Sequence, residues 1–395
     1  MDLIAKKTDF EIELERIRQE LAELNDSALS VPVDTTRVSR LAYLQFQLAS
    51  LSGNLNLLKD ADATLDHAIH HLGPSGDLYF LKANIHFKLH RLDDVEQHLQ
   101  LGRDLLLSTA GRALKGDLDF QQGRYQIAQE EYEAVIEEER TWDAIARLAY
   151  LHFKMGDLEK ADHLYDEAAD ELTAKEMRHY SWLELQRGVL DLSRGEYDKA
   201  RSHYERAERA YSGHWLVQEH RAELAGAEEK FDEAERLYRE VVERVPRPDF
   251  QQAFGELYLT MGKTTEANGY LNRARDGFLE SADRGEVHYY HHLADFYADV
   301  EENGPEAVKW ARKDLELRRN FSTLAALAWA LYRAEQFSEA LELINEALSS
   351  GAKDARLFRT AGMIYTAASP NGKGTWYLDK AAELNPHLNN FHVHR

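Results

Sequence analysis

Three segments of this chain share one spacing of small residues, glycine and tyrosine. They read AYLHFKMGDLEKADHLYDEA over 149–168, GVLDLSRGEYDKARSHYERA over 188–207 and GDLDFQQGRYQIAQEEYEAV over 116–135. Each has Ala or Gly at its first position, Gly at its eighth, Ala at its thirteenth and Tyr at its seventeenth. A short repeated unit cannot bury its apolar face alone and must stack on its copies. The chain is therefore predicted to fold as a repeat array.

The spacing resembles that of the tetratricopeptide repeat family, whose unit of about 34 residues is a helix–turn–helix. On this register ten units begin near residues 42, 76, 109, 142, 181, 215, 248, 287, 321 and 355. Unit position 8 is Ala or Gly in all ten, and position 20 is Ala in all but two, which have Val95 and Gly374. The resemblance covers roughly residues 37–386. It implies an all-α fold, a right-handed superhelical solenoid of antiparallel helix pairs.

The small residues allow paired helices to approach closely, and a large residue at position 24 fills the space beside them. Ala161 and Ala200 are expected at the closest approach. Glycines at position 15, such as Gly123 and Gly156, are expected to cap first helices in a left-handed conformation. Because each solenoid unit is expected to contact only its neighbours, units one to eight are expected to stay helical when units nine and ten are removed.

Two intervals between units are longer than the rest. The spacing is 33 or 34 residues except for 39 between units four and five and 39 between units seven and eight. The additions lie near residues 173–180 and 276–286. Each is expected to lengthen a helix or to widen one turn.

Residues 1–36 precede the array and include a predicted helix. Its apolar residues are spaced four and three apart and so share one face: Phe10, Leu14, Ile17, Leu21 and Leu24. Residues 25–36 are typical of a linker. We expect the helix to pack on the first repeat, and dimerisation through the stripe is the alternative. Self-association through the last repeat is also considered, and residues 387–395 are expected to form a C-terminal tail.

The composition excludes several classes of partner. Seventy acidic residues against 48 basic ones give a formal charge of −22, so the surface is expected to repel nucleic acid and anionic lipid. No apolar run is long enough to span a bilayer, and the charged N-terminus is unlike a secretory signal. We therefore expect a cytoplasmic protein with neither nucleic acid nor membrane as a partner. Without cysteine there is no disulfide and no thiolate metal site.

The sequence contains no GxSxG, no HExxH, no Rossmann glycine pattern and no kinase signature. We therefore expect no enzymatic activity and no cofactor. Among the 18 histidines, residues 67–71 and 288–292 share the pattern HxxHH, and His392 and His394 lie near the end. The two HxxHH segments fall at different unit positions, and a metal site also needs a third ligand and an ordered second shell. No metal binding is expected.

The resemblance implies that positions 2, 5, 9 and 12 of each first helix line a concave groove. A clamp for chaperone tails would need Lys, Asn and Arg at such positions, and only Asn84 matches. The groove is expected to be apolar and aromatic over units one to five and to expose carboxylates over units six to eight. The candidate partner-binding residues are Tyr43, Phe46, Phe80, Asn84, Phe87, Phe120, Tyr150, Phe153, Trp182, Glu219, Glu223, Asp249, Glu256, Asp295, Trp329, Arg356 and Arg359.

These features favour a non-enzymatic scaffold that binds a peptide or helical segment of a partner protein in its concave groove. The fitting ligand would have large apolar anchors at one end and Lys or Arg at the other. One alternative is a peptide-responsive signalling regulator of the same repeat type, for which residues 1–36 are too few to form the expected helical effector domain. A second alternative is RNA binding by related helical repeats, which the net charge disfavours.

Overall fold

The computed structural model describes residues 6–26, 35–368 and 372–393. Over these ranges all regular secondary structure is helical, and no strand is present. The helices are α1 Asp9–Asp26, α2 Thr35–Ser52, α3 Asn56–Leu72, α4 Gly76–Lys88, α5 Leu92–Leu101, α6 Thr109–Gln121, α7 Tyr125–Glu138, α8 Trp142–Met155, α9 Leu158–Asp170, α10 Met177–Ser193, α11 Tyr197–Ala210, α12 Trp215–Ala227, α13 Phe231–Arg244, α14 Pro248–Thr260, α15 Thr264–Asp283, α16 Tyr290–Asp295, α17 Gly304–Leu317, α18 Phe321–Arg333, α19 Phe337–Ser349, α20 Ala355–Ala368 and α21 Lys373–Leu384. A 3₁₀ segment, Arg103–Leu107, precedes α6, and a π-helical segment, Phe296–Val300, continues α16.

Consecutive helices from α2 onward pack as hairpins, and each hairpin corresponds to one repeat unit. The described residues contain ten such pairs, from α2 with α3 to α20 with α21. The first helices of units two, four and nine begin at Gly76, Trp142 and Phe321, where the repeat register places them. The prediction of an all-α solenoid built from helix pairs is confirmed.

Small and large residues alternate between paired helices as the register requires. Ala161 and Ala200 are fully buried, and so are the rings of Tyr165 and Tyr204. A Cβ placed on Gly188 would lie 2.2 Å from the Tyr204 ring. Because a ring occupies the space beside each small residue, enlarging the small residue must displace the ring or separate the helices.

Both insertions lengthen a helix. Near the first, α10 starts before the register position and has 17 residues, Met177–Ser193. At the second, α15 continues to Asp283 and has 20 residues. The helix after it is interrupted, since α16 passes into the π-helical turn Phe296–Val300. The additions thus extend helices within the array and form no separate domain.

Turns in the first half of the array dock onto unit starts in the second half. His90, in the turn of unit two, has its ring centroid 5.8 Å from that of His291 in unit eight. The Lys353 N–H at the start of unit ten donates to the Met155 carbonyl in unit four at 3.1 Å. The expectation that each unit contacts only its neighbours is therefore wrong. The solenoid forms two stacked windings, and the units joined by each of these two contacts are six places apart.

Two turn glycines lie directly in this contact. A Cβ on Gly123 would be 2.6 Å from the Arg319 carbonyl oxygen, and one on Gly156 would be 2.3 Å from the Lys353 carbonyl oxygen. Both glycines have positive φ angles, 75° and 86°. Gly262 has the same backbone conformation, with φ 73°, and nothing within 4 Å of its Cβ position. Glycine therefore serves as a helix cap at all three positions and allows the windings to touch at two of them.

The N-terminal helix α1 packs on α2 and also on unit five. Phe10 and Ile17 of its apolar stripe are buried in the core of the array. Glu13 accepts hydrogen bonds from the Tyr211 hydroxyl at 2.7 Å and from Arg178 Nη1 at 3.0 Å. The stripe is therefore covered within the same chain and is not an open surface for dimerisation. Most of the expected linker, residues 27–34, lies outside the described residues.

The described helices do not include one that combines the length and the apolar character needed to cross a bilayer.

Candidate functional site

Positions 2, 5, 9 and 12 of the first helices are called the inner face below, and all of the candidate residues lie at these positions. In units three and four it carries a continuous run of aromatic rings. The Phe120 and Tyr150 centroids are 5.7 Å apart, and those of Tyr150 and Phe153 are 6.3 Å apart. Lys154 Nζ lies 5.1 Å from the centre of the Phe153 ring, within the range of a cation–π contact. All three rings are half-buried. Phe120 and Phe153 also pack against a buried hydrophobic cluster, and the part of each ring that remains accessible lies beside a positive charge.

In units one and two the aromatic candidates belong mostly to the packing between helices. Phe46, Phe80 and Phe87 are half-buried and pack against buried hydrophobic clusters. The Asn84 amide donates to the Phe80 carbonyl of its own helix at 2.8 Å. Tyr43 is the exception, because 40% of it is exposed. Phe80 and Phe120, expected to lie on the groove and outside the helix packing, in fact both pack against buried clusters.

Trp182 in unit five belongs to a second group of accessible rings. It is 37% exposed, and its ring packs edge-on against Trp142 at 6.2 Å. Trp142 in turn stacks on His179, with centroids 4.6 Å apart. Burial beneath these rings lowers the pKa of His179, which favours the neutral imidazole in the stack.

The acidic half of the inner face differs from the expectation. Glu219 and Glu223 were expected to expose their carboxylates, but both residues have 0% exposure. Glu219 lies beneath Tyr238, whose hydroxyl is 3.5 Å from Glu219 Oε1, and Glu223 is covered by the chain's own residues near the C-terminus. The Val393 N–H donates to Glu223 Oε1 at 2.8 Å, and the His392 imidazole bonds the same oxygen.

The carboxylates of unit seven are engaged by neighbouring side chains. Asp249 accepts two hydrogen bonds from Arg247, at 3.0 and 2.7 Å. Burial alone would raise the pKa of Asp249, but the adjacent guanidinium holds it below its usual value. Glu256 is buried and accepts from Gln252 Nε2 at 2.8 Å. These groups therefore form part of the internal polar packing.

The last candidates lie in units eight to ten. The Trp329 indole donates to Asp299 Oδ1 at 2.9 Å, and Arg359 lies 6.0 Å from the centre of the Trp329 ring. Asp295 and Arg356 are half-buried, whereas Arg359 is exposed. The structure thus brings Trp329 and Arg359 together and leaves this group separate from the aromatic patch of units three and four.

The histidine motifs have different surroundings. His67 and His71 are exposed at the end of α3, with rings 4.2 Å apart. In the second motif His291 packs against His90 of the other winding, and burial lowers the pKa of the neighbouring His288 to about 4. Burial likewise lowers the pKa of His90 to about 3. The described part of the chain has no cluster of three or more His, Asp or Glu side chains suited to a metal ion, and His394 lies outside it.

Sequence reasoning missed the segment 385–393, called the C-terminal segment below, as a component of the inner face. One signal for it was present in the repeat register. Position 12 is aromatic in units two, three and four, as Phe87, Phe120 and Phe153, but is Gly226 in unit six. A glycine at a groove position leaves room for a ring from elsewhere, and Phe391 lies there.

Comparison with known proteins agrees with the register. The tetratricopeptide repeat family model matches residues 114–175 and 185–248, which are units three to six. Comparison with curated proteins gives no significant match.

Three solved structures illustrate the similarity. A chain in the structure of Naa15/Naa10 bound to HypK-THB aligns with 17% identity and a TM-score of 0.30, over 94% of this chain and 64% of that one. This chain thus spans less than two thirds of that relative. The APC/C hetero-tetramer Cut9–Hcn1 gives 13% identity and a TM-score of 0.37, over 92% of each chain. A tetratricopeptide repeat protein from Parabacteroides merdae ATCC 43184 aligns with 15% identity and a TM-score of 0.37, over 73% of this chain and 98% of that one.

Proposed function

Because this chain is a tetratricopeptide-repeat protein, we propose that it is a non-enzymatic scaffold whose inner face binds a segment of a partner protein. In this proposal residues 1–36 supply an N-terminal helix and linker that stabilise the array. Residues 37–386 form the binding surface, and residues 387–395 form a tail. The aromatic patch of units three and four carries the proposal. Its rings touch one another across two units and remain partly accessible.

The chemistry of the patch defines the ligand. Buried aromatic residues contribute much of the affinity at protein interfaces, because they exchange a large apolar area with the partner. Lys154 lies over the rings of Tyr150 and Phe153 at 5.6 and 5.1 Å. A fitting segment therefore presents a large apolar side chain to the rings and an acceptor, such as a carboxylate, to the lysine. The buried state of Glu219 and Glu223 removes them as exposed contacts for a basic ligand.

The test uses a displayed library of random peptides, panned on the full chain and on Tyr150→Ala/Phe153→Ala. We expect the unmodified chain to enrich peptides with an aromatic or large aliphatic anchor and the double variant to lose them. Trp376→Ala is the matched control, since Trp376 is 51% exposed on the second helix α21 and lies outside the inner face. Circular dichroism establishes that each variant is folded. A folded double variant that enriches the same peptides would contradict the proposal.

A further inference from the structure

The C-terminal segment follows a defined path across the first winding. Asn385 Nδ2 donates to the Ser193 carbonyl at 2.9 Å, and Asn390 Nδ2 donates to the Ala227 carbonyl at 2.9 Å. Ser193 and Ala227 are the last residues of α10 and α12, where helix carbonyls lack partners within the helix. Two side-chain amides thus satisfy two helix ends. These bonds direct the chain from unit five to unit six and onto the inner face.

Phe391 fills a notch on the inner face of unit six. A Cβ on Gly226 would lie 2.4 Å from the Phe391 ring, so only glycine leaves space for it. The Tyr238 ring meets Phe391 edge-on at 6.2 Å. Gly226 lies within α12 and has ordinary helical geometry, where alanine would be the more favourable residue. The glycine is explained by the space that it leaves for the Phe391 ring.

Beyond the notch the segment meets a buried carboxylate. Glu223 Oε1 accepts from the Val393 N–H at 2.8 Å and bonds the His392 imidazole. Glu219, one helical turn earlier, is equally buried, and the His220 Nδ1 lies 3.5 Å from it. Burying a carboxylate is costly unless donors or cations approach it. The site therefore selects a backbone N–H together with a side chain that donates hydrogen bonds.

We propose that the inner face of unit six is a binding site for extended peptide segments in which an aromatic residue is followed by histidine or another cationic residue, and that the C-terminal segment is its resident occupant. A partner carrying such a segment gains access by displacing residues 391–393. This inference rests on the proposed scaffold function and names a second ligand class for it, at a position separate from the aromatic patch.

Tethering explains why the resident segment would regulate the site. A segment joined to its own site has an effective concentration in the millimolar range, so a free peptide of equal intrinsic affinity competes poorly. Weakening the resident segment should therefore make the same site available to an added peptide.

The experiment measures binding of a fluorescein-labelled peptide of residues 385–395 to the full chain by anisotropy. The comparison is between the unmodified chain and the full-length variant Phe391→Ala/His392→Ala, whose own segment lacks the ring and the imidazole. We expect the variant to bind the peptide about 10- to 100-fold more tightly, as expected when a tethered competitor is removed. A peptide with Ala in place of the Phe391 residue should bind neither protein.

Gly226→Ala provides the matched control. It fills the notch while keeping a good helix former in α12, so it should release the resident segment without creating a site for the added peptide. In both variants we expect the Val393 amide to exchange with solvent at least about tenfold faster than in the unmodified chain. Only Phe391→Ala/His392→Ala should gain peptide binding.

Three results would overturn the inference. These are equal peptide binding by the folded double variant and the unmodified chain, binding that ignores loss of the peptide's phenylalanine, and a Val393 amide that exchanges at the rate of an unfolded chain in the unmodified protein. The last measurement needs no variant and stands even if the double variant fails to fold. Tyr150→Ala/Phe153→Ala should leave binding of this peptide unchanged, so failure at the aromatic patch is distinguishable from failure here.

Discussion

The docking of the two windings can be tested by adding a single methyl group at the contact. In Gly156→Ala the new Cβ would lie 2.3 Å from the Lys353 carbonyl oxygen, while Gly262→Ala would place the same methyl group in open space. The two glycines have similar positive φ angles, 86° and 73°. The pair of variants therefore separates the cost of the backbone conformation from the cost of separating the windings.

The magnitudes differ enough to be measured. A residue with a Cβ in the left-handed region costs roughly 1–2 kcal/mol, and the reduced freedom of the unfolded chain offsets about 0.4–1 kcal/mol of that. Gly262→Ala is expected to lower the free energy of unfolding by about 0.5–1 kcal/mol. Gly156→Ala adds an overpacking cost of roughly 1–3 kcal/mol against a backbone carbonyl. It also strains the hydrogen bond from Lys353 to Met155, which contributes about 1 kcal/mol, for a total of roughly 2.5–5 kcal/mol.

The assay is urea unfolding followed by circular dichroism, with hydrogen exchange at the Lys353 amide as the local readout. We expect Gly156→Ala to shift the transition to clearly lower urea and to remove the protection of that amide. Gly262→Ala should shift the transition slightly and leave the amide protected. Equal destabilisation by the two variants, with the Lys353 amide protected in both, would refute docking of unit ten on unit four.

Acidification is expected to weaken the docking of unit eight on unit two, because burial holds the pKa of His90 at about 3 and that of His288 at about 4. The unfolded chain binds protons first, so this stability is complete above about pH 6.5 and is lost as pH falls towards these values. The melting temperature should fall between about pH 7.5 and pH 5, and less in His90→Asn, since Asn tolerates the positive φ of this residue; an equal fall in both proteins would assign the effect elsewhere. Ala161→Leu and Ala200→Leu should each destabilise by roughly 1–3 kcal/mol, and unchanged melting of both would contradict the repeat register. A chain lacking units nine and ten should keep its helical circular dichroism per residue but melt at a lower temperature, because the turns of units three and four lose their docking partners; complete loss of helix would indicate one indivisible core.

The helix pairs could be predicted from the sequence because their determinants are local. Ala161 and Ala200 occur at a fixed distance from Tyr165 and Tyr204, and the structure buries all four. The stacking of windings could not be predicted in this way. A glycine at position 156 is expected in a left-handed helix cap whether or not another winding lies beside it. Its place in the repeat therefore gives no information about the nearby Lys353 carbonyl.

The candidate site was predicted less completely, for a similar reason. Position in the register places Phe153 and Phe80 alike on the inner face, but it does not report that neighbouring helices leave both rings half-buried against the core. The burial of Glu223 depends on a segment more than 160 residues later in the chain. Gly226 was the one local sign of it, since its helix has no conformational need for glycine.

The distance along the chain between the windings has a consequence for synthesis. Docking partners are separated by 199 residues for Asn320 with Gln121 and by 192 for Asn385 with Ser193. At roughly 5–20 residues per second, a ribosome makes the second partner about 10–40 s after the first. Helices form in about a microsecond and helical bundles in microseconds to milliseconds, so the first winding has ample time to assemble as an open array whose turns face solvent. Docking of the second winding on the first is then the late step of biogenesis. A chain whose synthesis stalls in its second half would expose the undocked turns of the first winding to chaperones.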